Sequence, residues 1–210
     1  MTISYAITVW NEHVELKRLL LQLTANLKLG DEIVIQGDQG KVTDGVISVI
    51  HSFLKKFKIK YVEYPLNRNF ANFKNNLFKN CEGDYIFQID ADEYLAEPLM
   101  KNIHDLLQEN IDLDAIAIPR KNTVVGLTDE YAKSQGWWIN IIDGERVNCW
   151  PDYQVRIFKN KPEIRLTNSV HEQLSGYKTI GQFPDVTDWA LIHPKTFERQ
   201  VQQNEFYKTC

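Results

Sequence analysis

The chain predicts an α/β fold, a mostly parallel sheet flanked by helices. Three observations predict it. Short runs of β-branched and aromatic residues alternate with helical stretches through the first half, and strand-helix-strand repetition over short loops is the pattern of a parallel sheet covered on both faces. The helical stretches carry apolar residues three and four positions apart, so each has one inward face. Finally, the run Tyr85-Ile86-Phe87-Gln88-Ile89-Asp90-Ala91-Asp92-Glu93 joins a buried-type strand directly to a cluster of carboxylates. In such sheets ligands bind beyond the carboxyl ends of the strands.

Ile3 to Val9 reads as the first strand, and Asn11 as the cap of the helix after it. Leu16, Leu19, Leu20, Leu23 and Leu27 form that helix's apolar face, which Gly30 closes. Ile33 to Gln36 is a second strand, followed by the loop Gly37 to Lys41. Thr43 or Asp44 starts a helix that turns Val46, Val49, Ile50, Phe53, Leu54 and Phe57 inward. Ile59 to Tyr64 is a third strand, stopped by Pro65, and a helix over about Ala71 to Cys81 leads to the Asp90 strand. After Glu93 a helix with Leu99, Ile103, Leu106 and Leu107 inside precedes the strand Ala115 to Ile118. The pattern then turns irregular and aromatic, with Trp137, Trp138, Trp150, Tyr153 and Phe158, short strands such as Gln154 to Phe158, and a terminal helix from about Lys195 bearing Phe197, Val201 and Tyr207.

With 210 residues, 43% hydrophobic and 25% charged, the composition is that of one medium-sized globular domain. A net charge of −4 argues against a nucleic-acid partner, since it provides no global basic field. Cys81, Cys149 and Cys210 are odd in number and widely spaced, which fits neither a disulfide framework nor a zinc pattern. The strand beginning at Ile3 leaves no room for a signal peptide, and no apolar run reaches the roughly 20 residues of a membrane span. The expectation is a cytoplasmic protein, with peripheral contact at the inner face of a membrane left open. Lys55, Lys56, Lys58 and Lys60 read as a solvated basic face, with docking on anionic headgroups the alternative.

Two carboxylates held about 4 Å apart repel by about 4 kcal/mol at an effective dielectric near 20. A hard cation such as Mg²⁺ or Mn²⁺ turns that repulsion into attraction. Asp90 and Asp92 at a strand end are therefore candidate metal and phosphate residues. Trp10, Asn11 and Glu12, then Gln36 to Asp38, come to the same edge if the strands are parallel.

With these motifs the chain resembles a family 2 glycosyltransferase with the GT-A fold, over nearly its whole length. Ala6-Ile7-Thr8-Val9-Trp10-Asn11-Glu12 is similar to the family's first strand and polar turn. Gln36 stands where the family usually has an Asp that holds the nucleotide base. Phe70-Ala71-Asn72-Phe73-Lys74-Asn75, with Asn69 ahead of it, resembles the family's Phe-Ala…Arg-Asn segment, Lys74 replacing the Arg. Lys keeps the charge near a diphosphate but loses the bidentate fork. Asp90-Ala91-Asp92-Glu93 resembles the metal motif. Trp150 to Phe158, Val170-His171-Glu172 and Leu191-Ile192-His193 follow in the order of the branch containing lipooligosaccharide-core β-glucosyltransferases.

The resemblance implies transfer of a sugar, with inversion, from a nucleotide-diphosphate sugar (a UDP-sugar by preference) to an acceptor hydroxyl of a glycan or glycolipid. It implies one GT-A domain over 1–210, with a nucleotide-sugar half over 1–118 and an acceptor half with the C-terminal helix over 119–210. Trp10, Glu12, Gln36, Asp38, Asn69, Lys74, Asp90, Ala91 and Arg156 are then the expected donor-site residues. Arg156 pairs either with the diphosphate or with a nearby carboxylate. Asp92 ligates the metal, Asp90 the metal or its surroundings, and His193 completes the set. An imidazole in that set favours Mn²⁺ over Mg²⁺. Glu93 either caps the next helix or supports the site. Glu172 and Asp152 compete as the base that takes the acceptor proton, with Glu172 preferred. Trp137, Trp138 and Trp150 either stack on an acceptor sugar or fill the core. Two alternatives stay open: a nucleotide-sugar-binding protein without catalysis, and a transferase acting on a protein or a modified nucleic-acid base. An Asp-x-Asp phosphatase fits less well, because that motif usually follows the first strand.

Overall fold

Uninterrupted apolar runs build the centre of the molecule, in a computed structural model that describes residues 1–207; the side chain of Tyr207 and Cys210 lie outside the described residues. In chain order the first half is β1 (Ile3–Val9), α1 (His13–Thr24), β2 (Glu32–Asp38), α2 (Asp44–Leu54), β3 (Ile59–Tyr64), α3 (Phe70–Lys79) and β4 (Tyr85–Asp90). These four strands lie parallel in the order β3-β2-β1-β4. β1, β2 and β4 are buried nearly throughout, which requires cover on both faces. Leu16, Leu19, Leu20 and Leu23 of α1 supply it on one face, with Val46, Ile50 and Phe53 of α2, while Leu77 and Phe78 of α3 belong to a smaller cluster on the other. Phe57, expected inward, is exposed. The cap of α1 also differs from expectation: Glu12 occupies the position given to Asn11, and its carboxylate turns back to accept the backbone N–H groups of Trp10 and Asn11 at 2.8 and 3.0 Å.

The second half consists of β5 (Tyr94–Leu95), α4 (Glu97–Glu109), β6 (Ala115–Val125), α5 (Asp129–Ser134), β7 (Ile139–Ile142), β8 (Glu145–Lys159), β9 (Arg165–Thr167), β10 (Gln173–Ser175), β11 (Ile180–Gln182), β12 (Leu191–Thr196) and α6 (Phe197–Tyr207). β8 enters antiparallel between β4 and β6, and β12 lies parallel on the far side of β6. β6 and β8 are thus far longer than the fragments predicted, and Lys195 ends a strand instead of starting the last helix. β9 and β10 form a separate hairpin that packs beside α3 and carries the loop with His171 and Glu172 between them. No helix among the described residues is long and apolar enough to cross a membrane.

Candidate active site

The carboxyl ends of β1, β2 and β4 open into a cleft of about 1310 Å³, closed on its other side by β6, β8, β12 and α6. Trp10, Glu12, Asp38, Lys74, Asp90, Ala91, Asp92, Asp152, Glu172 and His193 all line it. The parallel register explains the first group, because Thr8 pairs with both Gln36 and Asp90 at neighbouring strand ends.

Three expected donor residues are not brought to the cleft. Gln36 is fully buried; its amide donates to the Phe73 carbonyl at 2.6 Å and accepts from Asn76 at 2.7 Å, so its side chain fastens α3 to the sheet. Asn69 caps α3, its side-chain oxygen accepting the Asn72 N–H at 2.9 Å. Arg156 lies beneath the cleft, with Nη2 2.9 Å from Asp90 and 2.8 Å from Glu93, and Nη1 donating to Gln88. Between the two partners the sequence left open, Arg156 takes the carboxylates.

Around Arg156 the floor of the cleft is a closed ionic layer. Glu93, fully buried, accepts the Asp90 N–H at 3.0 Å and pairs with Arg120 at 3.1 Å, so it supports the Asp90 turn and caps no helix. Arg120 in turn holds Asp152 through Nε and Nη2 at 2.9 and 2.6 Å, the two residues standing opposite each other across β6 and β8. Asp90 has both oxygens engaged, one by Arg156 and the other by Thr8 and Gln88. Burial opposes its charge, but the adjacent Arg156 and Lys74 hold its carboxyl well below the usual range. Asp152 is also held low, since Arg120, Asn122 and Gln154 outweigh its burial.

The rim above is looser. Asp92 Oδ2 faces His193 Nε2 at 3.4 Å, Lys195 Nζ at 3.6 Å and Arg199 Nη2 at 3.8 Å. Burial works against the Asp92 charge, yet neighbouring charges, the Lys195 ammonium among them, keep the carboxylate ionised far below the usual range. Burial pushes His193 down, so it is a neutral imidazole beside an ionised carboxylate. Lys195 also donates to Gln203 of α6, and Arg199 reaches Glu12 and Glu15 of the first helix at 3.0 and 2.8 Å. These contacts fasten α6 over the cleft, helped by the edge-on packing of Tyr131 against Phe197 at 4.8 Å. Arg120, Asn122, Lys195 and Arg199 were not among the expected site residues. Three of them were signalled by alternation, since Arg120 and Asn122 share one face of a strand, as do His193 and Lys195.

Lys74 Nζ lies 2.9 Å from Glu172 and 3.9 Å from Asp90, spanning the cleft between the two. Of the tryptophans, Trp10 is 54% exposed at the cleft mouth and Trp137 lines the cleft, while Trp150 is core and Trp138 faces outward. His104 pairs with buried Asp31, away from the cleft.

Among the described residues no group of three or more His, Cys, Asp or Glu side chains is arranged to hold a metal ion. Asp92 and His193 nevertheless supply one oxygen and one nitrogen donor side by side, and that pair suits Mn²⁺ better than Mg²⁺. A cation held there would draw its remaining ligands from the bound substrate and water.

A mostly parallel α/β sheet with a charged cleft beyond the carboxyl ends of its strands places this chain among the open α/β proteins that bind ligands at that edge. The chain belongs to glycosyl transferase family 2, whose profile matches residues 4–165. It is 26% identical over 140 residues to a poly-beta-1,6-N-acetyl-D-glucosamine synthase of Staphylococcus epidermidis, covering 64% of this chain and 34% of that protein. S. aureus TarS in complex with UDP-GlcNAc superposes with a TM-score of 0.65 at 15% identity, over 93% of this chain and 59% of that one. The mannosyltransferase PcManGT from Pyrobaculum calidifontis, in complex with GDP-Man and Mn²⁺, gives 0.56 at 18% identity, over 91% and 56%. The chain thus spans about a third of the curated relative's length and under two thirds of these solved chains.

Proposed function

We propose that this chain transfers a sugar from a nucleotide-diphosphate donor, a UDP-sugar by preference, to a hydroxyl of a glycan or glycolipid, with inversion and with the help of a divalent cation. The observation that carries this reading is the meeting of Asp92, His193 and Glu172 in one cleft at the carboxyl edge of the sheet. Family membership supports it, as do the UDP-GlcNAc and GDP-Man complexes of the two structural neighbours. In this reading residues 1–118 receive the donor, and residues 119–210 close over the acceptor.

Asp92 and His193 hold the cation, which when bound supplies positive charge against the donor's pyrophosphate. Lys195, beside Asp92, adds a fixed positive charge there, while Lys74, 3.9 Å from Asp90, is engaged by Glu172. Inversion needs a base on the face away from the leaving group. Glu172 fits that role better than Asp152. Asp152 is tied by Arg120, Asn122 and Gln154 and held at low pKa, whereas Glu172 faces the cleft with Lys74 as its ionic partner. Asp152 then positions other groups.

Calorimetry with UDP, with and without Mn²⁺, on the unaltered chain and on Asp92→Ala tests the donor reading. Tight binding that needs Mn²⁺ and is lost in the variant is expected, together with slow hydrolysis of a UDP-sugar. Binding that ignores both the cation and the substitution would remove Asp92 from the donor site, and binding without hydrolysis or transfer would mark a non-catalytic protein.

A further inference from the structure

The side chains that face one another across β6 determine more than charge. Asn122 stands opposite His193 in the β6–β12 register, and its strand neighbour Arg120 stands opposite Asp152 in the β6–β8 register. All four side chains therefore converge on one face. The Asn122 amide donates from Nδ2 to Asp152 Oδ2 at 2.9 Å, while its Oδ1 lies 2.7 Å from His193 Nδ1. A carboxylate only accepts hydrogen bonds, and Arg120 keeps Asp152 a carboxylate by donating to the same oxygen twice. The amide therefore cannot turn over without setting its oxygen against that carboxylate. With Oδ1 fixed towards the imidazole, the proton between them has to sit on His193 Nδ1.

We propose that Asn122 is a positioning residue: anchored by Asp152, it locks His193 as the Nδ1–H tautomer and so presents the Nε2 lone pair beside Asp92 as a ready ligand for a divalent cation. The clause about the cation rests on the function proposed above; the tautomer does not. Nε2 then meets Asp92 Oδ2 at 3.4 Å with no proton between them, two electron pairs that a cation would join. Asn122 and His193 are both more than nine-tenths buried, so solvent does not compete for either ring nitrogen. Orienting partners of this kind are worth about 10- to 100-fold in metal affinity.

The test reads the tautomer directly. Long-range ¹H–¹⁵N correlation on metal-free, ¹⁵N-histidine-labelled full chain, with His193 assigned by its loss in His193→Gln, distinguishes Nδ1–H from Nε2–H. Mn²⁺ affinity is measured in parallel by electron paramagnetic resonance. The expected result is Nδ1–H in the unaltered chain, a shift to Nε2–H in Asn122→Leu, and Mn²⁺ binding weaker by about 10- to 100-fold. Asp152→Asn, nearly isosteric and the fallback should Asn122→Leu not fold, frees the Asn122 amide to turn and should give a mixture of tautomers. Nε2–H in the unaltered chain, or an unchanged tautomer in both variants, overturns the proposal. A tautomer that behaves as expected in a chain that binds no Mn²⁺ overturns the cation clause and with it the metal reading of the cleft, and leaves the lock itself standing.

Discussion

Beneath the cleft, Arg156 meets Asp90 and Glu93 at 2.9 and 2.8 Å and Arg120 meets Glu93 at 3.1 Å, whereas at the rim the three nitrogens nearest Asp92 Oδ2 stop at 3.4, 3.6 and 3.8 Å. Asp90 and Asp92, two positions apart on one turn, are closely paired in one place and loosely grouped in the other. A buried charge that loses its partner is costly, so the floor must be complete in the absence of ligand. The rim has its charges assembled without closing them into hydrogen bonds, which leaves Asp92 able to exchange neighbours when an ion or a diphosphate arrives. The floor is thus a stability element and the rim a binding element.

Removing a floor cation should make the largest difference. Arg156→Met leaves Glu93 with Arg120 alone and Asp90 with only the more distant Lys74, and should lower the unfolding free energy by about 3–5 kcal/mol in urea titrations. Arg199→Met, at the rim, removes partly exposed pairs with Glu12 and Glu15 and should lower it by no more than about 1 kcal/mol. Equal losses in the two variants would end the distinction between floor and rim.

The two candidate bases divide along the same line. Glu172→Gln should reduce kcat for transfer on the order of 100-fold with little effect on folding, because it removes a proton acceptor from a cleft-facing position. Asp152→Asn breaks the contact with Arg120 inside the ionic layer and should show mainly as lost stability and weakened cation binding. If Asp152→Asn instead lowers kcat more than Glu172→Gln at equal donor saturation, the roles are reversed.

What could be read in advance follows the same physics. β1 and β3 were legible to the residue because they are short and bounded by turn residues, Pro65 among them. β6 and β8 were not. On the site side they carry Arg120, Asn122 and Asp152, with Arg156 beneath the cleft, polar residues buried or half-buried among one another that break the apolar alternation by which strands are recognised. Pro119 and two register shifts disturb the pattern further. In the site, the order of the motifs brought Asp90, Asp92, Asp152, Glu172 and His193 to one cleft. It could not tell that Gln36 and Asn69 serve α3, since whether a polar side chain at a strand end turns to ligand or to its own helix depends on neighbours far along the chain. Arg199 was missed because a weakly amphipathic helix carries little local signal.

The smallest expected effect, one that separates the rim imidazole from the carboxylates, is in the pH dependence of stability. Asp90 and Asp152 in the floor and Asp92 at the rim all have folded pKa values below the ordinary carboxyl value of 3.8. Their contribution is complete above that value and is lost as pH falls through the lower folded ones, because the unfolded chain takes up protons first. His193, pushed by burial below its ordinary 6.5, acts in the same direction but in a higher window. As pH falls past about 6.5 the unfolded chain binds a proton that the folded one refuses, and stability declines. Urea titrations between pH 7.5 and 3 should therefore show a shallow decline beginning near pH 6.5 and a steeper one below about 4. His193→Gln should abolish the shallow decline and leave the steep one, and Arg156→Met should blunt the steep one. A shallow step that survives His193→Gln would assign it to another histidine and show that the imidazole at the rim is not held neutral by its surroundings.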